Sequence, residues 1–489
     1  MIILASLTDK SGSVDFLKSI STEVEKIYAS EGTKRHFEEN GIRANSISEL
    51  TGFEDLLGGR VKTLHPAIFS GILSRDNEAD RKQLEEKGYF PFDIVMCNLY
   101  DFNSYRNGTE EEKIEHIDIG GVSLIRAASK NWKRVAIAKN VQDYEKLRRD
   151  IEEKGKIFEE TRRELAIDAF KMTYEYDLSI YNSIRDGTTD RVILLQNGRK
   201  LRYGENPDQE GYIYEIPEYG KMEVFHGKEM SYNNYVDASS AIETVVEFSE
   251  PFAVVIKHNT PCGAAIGKTH GDALEKAINA DRESAYGSVI CINGKADRNV
   301  AEALKDLFVE IIIAKDFDEE SVKIIGKKKN IRMIKYSGNG PERNFKTLFN
   351  GILEQTRMNT ELDQVKRIVD NGSEYSEKEL DFAWKIAAHC RSNAIVLARD
   401  CVTTGIGAGQ TSRVEAAKIA CERAGERSKG SVMASDAYLP FSDNVDVAER
   451  HGIRAIIEPG GSIRDQDVID ACKKYGISLY FTGRRVFLH

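Results

Sequence analysis

Strand-like and helix-like segments alternate from the second residue onward, and this constrains the fold more than any other feature of the chain. IILASL reads as a strand, the next segment places Val14, Leu17 and Ile20 at helical spacing, EKIYAS reads as a second strand and TKRHFEEN as a second helix. FDIVMCNL (92–99), the helical GVSLIRAASK (121–130) and the strand RVAIAK (134–139) continue the rhythm. A βαβ order of this kind implies an α/β fold with a mostly parallel sheet covered by helices on both faces. A polar helical stretch over about 150–185 and the turn-forming IRDGTTDR then place a boundary near 195, giving a first domain over 1–195 and a second part over 196–489. The second part repeats the alternation through AVVIKH, SVICING, EIIIAK, NAIVLARD and TGIGAGQ. Its length predicts two subdomains, although no repeat of about 20–50 residues shows in the sequence.

Composition narrows the class. At 489 residues, with 41% hydrophobic and 30% charged positions, the chain has the balance of a water-soluble globular protein of two to four units. No apolar run approaches the roughly 18–20 residues of a membrane span, and MIILASLTDKSG has no basic segment ahead of its apolar run, so a cytoplasmic protein without a membrane partner is expected. Seven cysteines without a CxxC pair fit reduced thiols and offer no zinc site. A net charge of −10 argues against a nucleic-acid surface, and the local KKKN at 327–330 reads as a solvated helix end.

Several loops concentrate groups that could do chemistry. In VVIKHNTPCG (254–263) an apolar run ends in Lys257 and His258, with TPCG reading as the end of a strand. Strand exits hold side chains firmly within reach of ligand, although an isolated Lys-His pair also serves as a plain solvent-facing cap. ASEGT (29–33) stands between a strand and a helix, where Ser30, Gly32 and Thr33 could cradle a phosphate, or Thr33 could be only an N-cap. GGRVKTLHP crowds Arg60, Lys62, Thr63 and His65 into one loop, too many anion-binding groups for a mere turn. CNLYDF carries Asn98 and Tyr100, and HIDIGGVSLIRAASKN carries Asp118 ahead of a Gly-Gly helix start and Lys130 twelve residues later; each of the last two could also be a simple helix-dipole charge. In the second part, RYGENP, SYNNYVD, RSNAIV, GIGAGQTSR, FSDNVD and EPGGS lie between apolar runs. GIGAGQ lacks the third glycine and the later acidic residue of a dinucleotide fingerprint, so a Rossmann cofactor is not expected.

Together these motifs resemble the bifunctional purine-biosynthesis enzymes that join AICAR transformylase to IMP cyclohydrolase. SELTGFEDLLGGRVKTLHP, CNLY and IDIGGVSLIRAASKN are similar to the cyclohydrolase; LRYGENP, SYNNYVD, IKHNTPCG, SNAIV, GIGAGQTSR and the block from ASDAYLPF to GRRVF are similar to the transformylase, in collinear order over essentially the whole chain. The resemblance implies a methylglyoxal-synthase-like parallel-sheet domain followed by a duplicated cytidine-deaminase-like α/β region without its zinc. It implies that residues matching Ser6, Lys10, Ser30, Gly32, Thr33 and Lys62 hold a nucleotide phosphate, and that Arg60, Lys62, Thr63, Tyr100, Asp118 and Lys130 line the ring-closing site. Lys257, His258 and Asn393 match the transformylase's catalytic trio, Arg202, Tyr203, Asn234, Glu310, Arg413 and Arg485 its nucleotide-binding positions, and Asp443 and Asn444 the positions facing folate. A homodimer that shares its transformylase sites is implied as well, with 10-formyltetrahydrofolate as co-substrate and no metal.

The residue types suit that chemistry. Attack of the weakly nucleophilic amine of AICAR on a formyl carbon needs a base and donors for the developing oxyanion, and ring closure needs a substrate folded into a reactive conformer. Four positions depart from the family's usual residues: Asp208 in place of histidine in NPHQ, Glu31 in SGGT, Ala388 in place of lysine, and Arg282 in place of proline. A nucleotide sensor that binds without turnover, or a protein with only one activity left, would keep most of the same loops.

Overall fold

The computed structural model describes residues 1–489 apart from 54–56, 58–60, 62, 106–107, 186–189, 191, 217–218 and 373–375, and apart from the side chains of 197–198. Arg60 and Lys62 thus lie outside the described residues. Two compact units separate at 193/194, Met1–Ile193 and Leu194–His489.

The first unit runs β1 (Ile2–Ser6), α1 (Ser13–Ser19), β2 (Lys26–Ala29), α2 (Glu31–Glu39), β3 (Asn45–Ser46), α3 (Ile47–Thr51), α4 (Pro66–Leu73), α5 (Glu78–Lys87), β4 (Ile94–Cys97), α6 (Glu110–Glu115), α7 (Gly120–Lys130), β5 (Ala136–Ala138), α8 (Val141–Lys154) and α9 (Glu159–Ile184). Its five strands are all parallel in the order β3-β2-β1-β4-β5. Chain order reverses between β1 and β4, where Ser6 stands in register with Cys97. Such a switch point opens a crevice beyond the strands' carboxyl ends, because the connections leave toward opposite faces. The sequence punctuates these elements: Ser46 and Thr109 each form a capping box, and Gly88 and Gly155 end helices in the left-handed conformation. The polar stretch over 150–185 is in fact the end of α8 and all of α9, divided after Gly155.

The second unit begins with β6 (Gln196–Lys200) and β7 (Tyr212–Glu215), a small antiparallel pair. There follow β8 (Lys221–His226), α10 (Tyr232–Val245), β9 (Phe252–Lys257), β10 (Thr260–Ile266), α11 (His270–Ala280), β11 (Ser288–Ile292), β12 (Lys295–Ala296), α12 (Arg298–Ala303), β13 (Val309–Ala314), β14 (Asp316–Phe317), α13 (Glu319–Ile325) and β15 (Arg332–Ser337). After the hairpin β16 (Arg343–Leu348) and β17 (Gly351–Thr356) come β18 (Lys366–Val369), α14 (Glu377–Ala388), β19 (Ile395–Arg399), β20 (Val402–Gly407), α15 (Arg413–Ala424), β21 (Val432–Ser435), α16 (Asp443–Arg450), β22 (Ala455–Glu458), α17 (Asp465–Tyr475) and β23 (Ser478–Phe481).

Twelve of these strands form one mixed sheet, β18-β23-β22-β21-β19-β20-β10-β9-β11-β13-β15-β8. The order reads the same from either end: an antiparallel edge strand, three parallel strands and a hairpin, meeting where β10 pairs antiparallel with β20. The two halves follow the same sequence of elements, so the expected duplication, which no repeat of residues shows, is plain in the topology. They share one sheet, and a single core runs through both, including Ile256, Val289, Trp384 and Val396. The strands are apolar on both faces, as buried parallel strands must be.

Two local expectations change. TPCG does not end a strand; it opens β10, with a bulge between Pro261 and Gly263, because His258 and Asn259 alone make the turn. Lys328 is no solvated helix end either, since its ammonium donates to the Leu304 and Leu307 carbonyls at 2.6 and 2.8 Å.

Candidate active sites

In the first unit the candidate residues gather at the switch point. Ser6 ends β1, and Lys10 follows it in a loop whose Nζ reaches Thr8 O at 3.3 Å. Asn98, just past β4, fixes that loop by accepting the Thr8 N–H at 2.7 Å and donating to Asp9 O at 2.7 Å. Ser30 is the N-cap residue of α2 and Thr33 its third residue, so Thr33 is not the cap. The Thr33 hydroxyl is buried, accepts the Leu7 N–H at 2.9 Å, receives Ser30 Oγ at 3.1 Å and so ties the start of α2 to the exit of β1. A Cβ built on Gly32 meets nothing within 4 Å, which leaves open space beside the first turn of α2. Glu31 turns away from that space: Ser46 Oγ donates to its carboxylate.

A second group surrounds the start of α7. Asp118 Oδ1 accepts the Gly121 N–H at 2.7 Å, and a Cβ on Gly121 would lie 2.6 Å from Asp118 Oδ2. A Cβ on Gly120 would lie 2.9 Å from Thr63 Oγ1. Both glycines are therefore needed for Thr63, Asp118 and the helix start to approach one another. The Tyr176 hydroxyl, on α9, accepts the Asp118 N–H at 2.7 Å and donates to His116 O at 3.1 Å. Burial pushes the Tyr176 phenol above its ordinary pKa, against the lowering effect of the Asp118 N–H bond. The sequence reading missed Tyr176, whose only signal was a tyrosine within a polar helix. Lys130 is not part of this group. It is exposed at the last position of α7, about 15 Å along the helix axis from Gly120.

In the second unit one end of the long sheet carries nearly every candidate. Register puts Lys257 opposite Thr260, Ala265 opposite Val402 and Ile395 opposite Gly407, so the ends of β9 and β20 and the starts of β10 and β19 are level. Lys257 donates to Tyr286 O at 2.8 Å and Gly287 O at 3.1 Å. His258 follows, exposed, in the turn. Beside them Asn234, in the first turn of α10, donates to Glu310 Oε2 at 3.0 Å, and Arg332 Nη1 lies 3.8 Å from the same carboxylate oxygen. Arg332 is buried and fixed by two bonds to Glu229 O, at 3.0 and 2.8 Å; burial lowers its pKa, and Arg202 lies near enough to lower it further. Arg202 itself is exposed, over the Tyr203 ring at 5.5 Å.

Along the same end Asn393 donates to Gln410 O at 3.0 Å, and Arg413 Nη2 donates to Asn393 Oδ1 at 2.6 Å. Arg413 also binds the fully buried Asp436 carboxylate and Ser435 Oγ. Two guanidinium groups lie over the Phe487 ring, Arg413 at 6.0 Å and Arg485 at 4.6 Å. Asp443 opens α16 and accepts both the backbone and side-chain N–H groups of Asn444, which is itself buried. Arg332, Asp436 and Phe487 are further residues of these clusters that the sequence reading did not select. Of the four departures, Ala388 is buried in the core and Asp208 is exposed, while Arg282 donates to Asn279 Oδ1 at 3.2 Å. Three strand spacings of about 4.8 Å separate β9 from β19, so the Lys257 and Asn393 groups stand about 14 Å apart along the sheet end.

Among the described residues no group of three His, Cys, Asp or Glu is placed to hold a metal ion, and no helix is long and apolar enough to cross a membrane. Residues 12–123 match the MGS-like domain family and residues 128–423 the AICARFT/IMPCHase bienzyme family. Bifunctional purine biosynthesis protein PurH of Persephonella marina is 42% identical over 514 aligned residues, covering 99% of each chain. PurH of Bacillus subtilis is 41% identical and that of Bacillus cereus 40%, each over 506 residues and 99% of both chains.

Proposed function

The chain belongs to the AICARFT/IMPCHase bienzyme family, and from that premise we propose which of its residues carry the two reactions. It is a bifunctional enzyme of purine biosynthesis, transferring a formyl group from 10-formyltetrahydrofolate to AICAR and closing the resulting formyl-AICAR to IMP with loss of water.

Formyl transfer is assigned to the end of the twelve-stranded sheet. His258 takes the proton from the attacking amine. Two of the three Lys257 N–H bonds are directed at the Tyr286 and Gly287 carbonyls, which leaves the third for the oxyanion or for the departing folate nitrogen. Asn393, gripped by Arg413, donates to and orients the substrate. Arg202, Tyr203, Asn234, Glu310, Arg413 and Arg485 hold the nucleotide, while Asp443, steadied by Asn444, faces the folate. The observation that carries this reading is the Lys257–His258 strand exit beside the Asn234–Glu310 pair.

Ring closure is assigned to the first unit. Ser6, Lys10, Ser30, Gly32 and Thr33 cradle the phosphate with Lys62, and Arg60, Thr63, Tyr100 and Asp118 surround the reacting carboxamide. The reaction is intramolecular, so its catalysis is largely the folding of substrate into a reactive conformer. Lys130, at the far end of α7, is left out of this set.

A cytoplasmic homodimer is proposed as the working form, acting on small molecules and not on nucleic acid. The separation of about 14 Å between the Lys257 and Asn393 groups supports it, since a partner subunit could bring further groups to either cluster. Purified protein given AICAR and 10-formyltetrahydrofolate is expected to yield IMP, and formyl-AICAR alone is expected to do the same. Absence of IMP from both incubations at saturating substrate would reject the assignment.

A further inference from the structure

The carboxylate of Asp237 stands behind the turn that carries His258. Asp237 lies on α10 three residues after Asn234, and its Oδ1 accepts the Asn259 N–H at 2.6 Å. His258 and Asn259 are the whole connection between β9 and β10, with φ of 50° and 59°. Two left-handed residues in a two-residue hairpin are the I′ arrangement, which favours Asn and Gly and which non-glycine residues adopt uncommonly. Strain of that kind persists where surrounding structure over-determines the backbone, and the bond from α10 supplies that constraint.

The other half of the unit uses a related device. Its hairpin turn, Asp400–Cys401, is left-handed as well, at 55° and 56°, and Glu379 Oε1 on α14 accepts the Asp400 N–H at 2.9 Å. There the carboxylate holds the first turn residue; in the β9–β10 turn it holds the second and leaves the first, His258, projecting. α10 therefore fastens two strand ends at once, the start of β13 through Asn234 and Glu310, and the exit of β9 through Asp237 and Asn259. Burial raises the Asp237 carboxyl's pKa, and His258, Glu310 and Lys257 are the charged or titratable groups that act on it.

We infer that Asp237 is a positioning residue for formyl transfer: by holding the Asn259 amide from α10 it fixes the turn that aims the His258 imidazole at the nucleotide grip. This rests on His258 being the base. Asn at 237 keeps an acceptor oxygen at the same reach without the charge, Gln moves it out by one methylene, and Ala removes it.

In the full-length protein, Asp237→Ala is expected to lower the formyl-transfer kcat about 100-fold, the cost of a misplaced catalytic group, with the KM for AICAR changed less than about threefold. Asp237→Asn is expected to stay within about threefold of the parent, and ring closure of formyl-AICAR is expected to run unchanged in every variant. An Asp237→Asn enzyme as slow as Asp237→Ala overturns the inference, because the charge and not the held turn would then matter. Full formyl transfer in Asp237→Ala, with His258→Ala inactive, also overturns it while leaving the base assignment standing. Full formyl transfer in His258→Ala removes the base and the inference together. Should Asp237→Ala not fold, as judged by calorimetric AICAR binding, the comparison passes to Asp237→Gln: a rate well below Asp237→Asn supports the inference, and equal rates overturn it.

Discussion

Arg413 and Asn393 are joined by a 2.6 Å bond from the guanidinium Nη2 to the amide oxygen, while Nη1 of the same guanidinium holds Ser435 and the buried Asp436. The fork fixes which way the Asn393 amide faces, because its oxygen is engaged by Arg413 and its nitrogen by the Gln410 carbonyl. A lysine is a single point donor on a flexible stem and cannot bridge both sides. Arg413→Lys is therefore expected to reduce kcat/KM for AICAR formylation about 100-fold, roughly 2.7 kcal/mol of transition-state stabilisation, with ring closure unaffected. Steady-state assays of the two half-reactions check it.

Tyr176 plays the corresponding part in the first unit, since its hydroxyl bonds both the Asp118 N–H and the His116 carbonyl. Removing that oxygen takes this acceptor from the part-buried Asp118 N–H and loosens the segment that presents Asp118. Tyr176→Phe is expected to slow ring closure of formyl-AICAR about tenfold and to leave formyl transfer unchanged. Single-turnover measurements with formyl-AICAR separate the chemical step from binding.

Much of this was legible because the residues involved are punctuation. Gly120 and Gly121, the Lys257–His258 strand exit and the ASEGT turn stand out in sequence, since each interrupts a periodic apolar pattern. Asp237, Tyr176 and Arg332 did not stand out: they sit inside helices or at a strand start, where a polar residue reads as an ordinary surface position until the fold shows what it faces. Lys130 shows the reverse case. Its motif is adjacent in sequence to Asp118, but a helix converts ten residues into about 15 Å. The duplication of the second unit was expected from its length and from the family resemblance but not from any internal repeat, because the two halves repeat strand order and not residues. The residues at matching positions also differ. The Arg413–Asp436 pair of the second half is replaced, at the matching positions of the first, by His270 and Asn293, whose ring nitrogen and side-chain oxygen lie 3.1 Å apart. Asn293 there spends its amide on the Phe248 and Glu250 carbonyls, a purely architectural use.

Glu458 makes a pH-dependent prediction. The side chain is fully buried at the end of β22, and burial raises its pKa to about 7, against the lowering effect of the Leu439 N–H bond. A carboxyl whose folded-state pKa is raised keeps its proton in the folded protein after the unfolded chain has lost it. Stability therefore falls as pH rises from about 4.5 toward 7, and levels off above. The loss is on the order of 3 kcal/mol by the linkage relation. Glu458→Gln removes the titration, so its stability relative to the parent is expected to rise across that window and stay constant beyond it. Urea melts of the two proteins at pH 5, 6, 7 and 8 measure the difference.

The hairpin β16–β17 bears on the assembly. It forms its own two-stranded sheet apart from the twelve-stranded one, yet Leu348, Phe349, Ile352 and Leu353 are all exposed on it. Register puts Leu348 and Leu353 on one face of the hairpin and Ile352 on the other, and a two-stranded hairpin with exposed apolar side chains on both faces is marginal in water without cover. If the chain works as the proposed homodimer, this arm is expected to pack against the second subunit. Phe349→Asp combined with Leu353→Asp places two charges in that contact, and burying an unpaired charge costs far more than the apolar area returns. The double variant is expected to run at the monomer mass in light scattering and to lose formyl transfer, while the first unit still closes formyl-AICAR to IMP. A variant that remains dimeric with full formyl transfer would show that the arm lies outside the subunit contact.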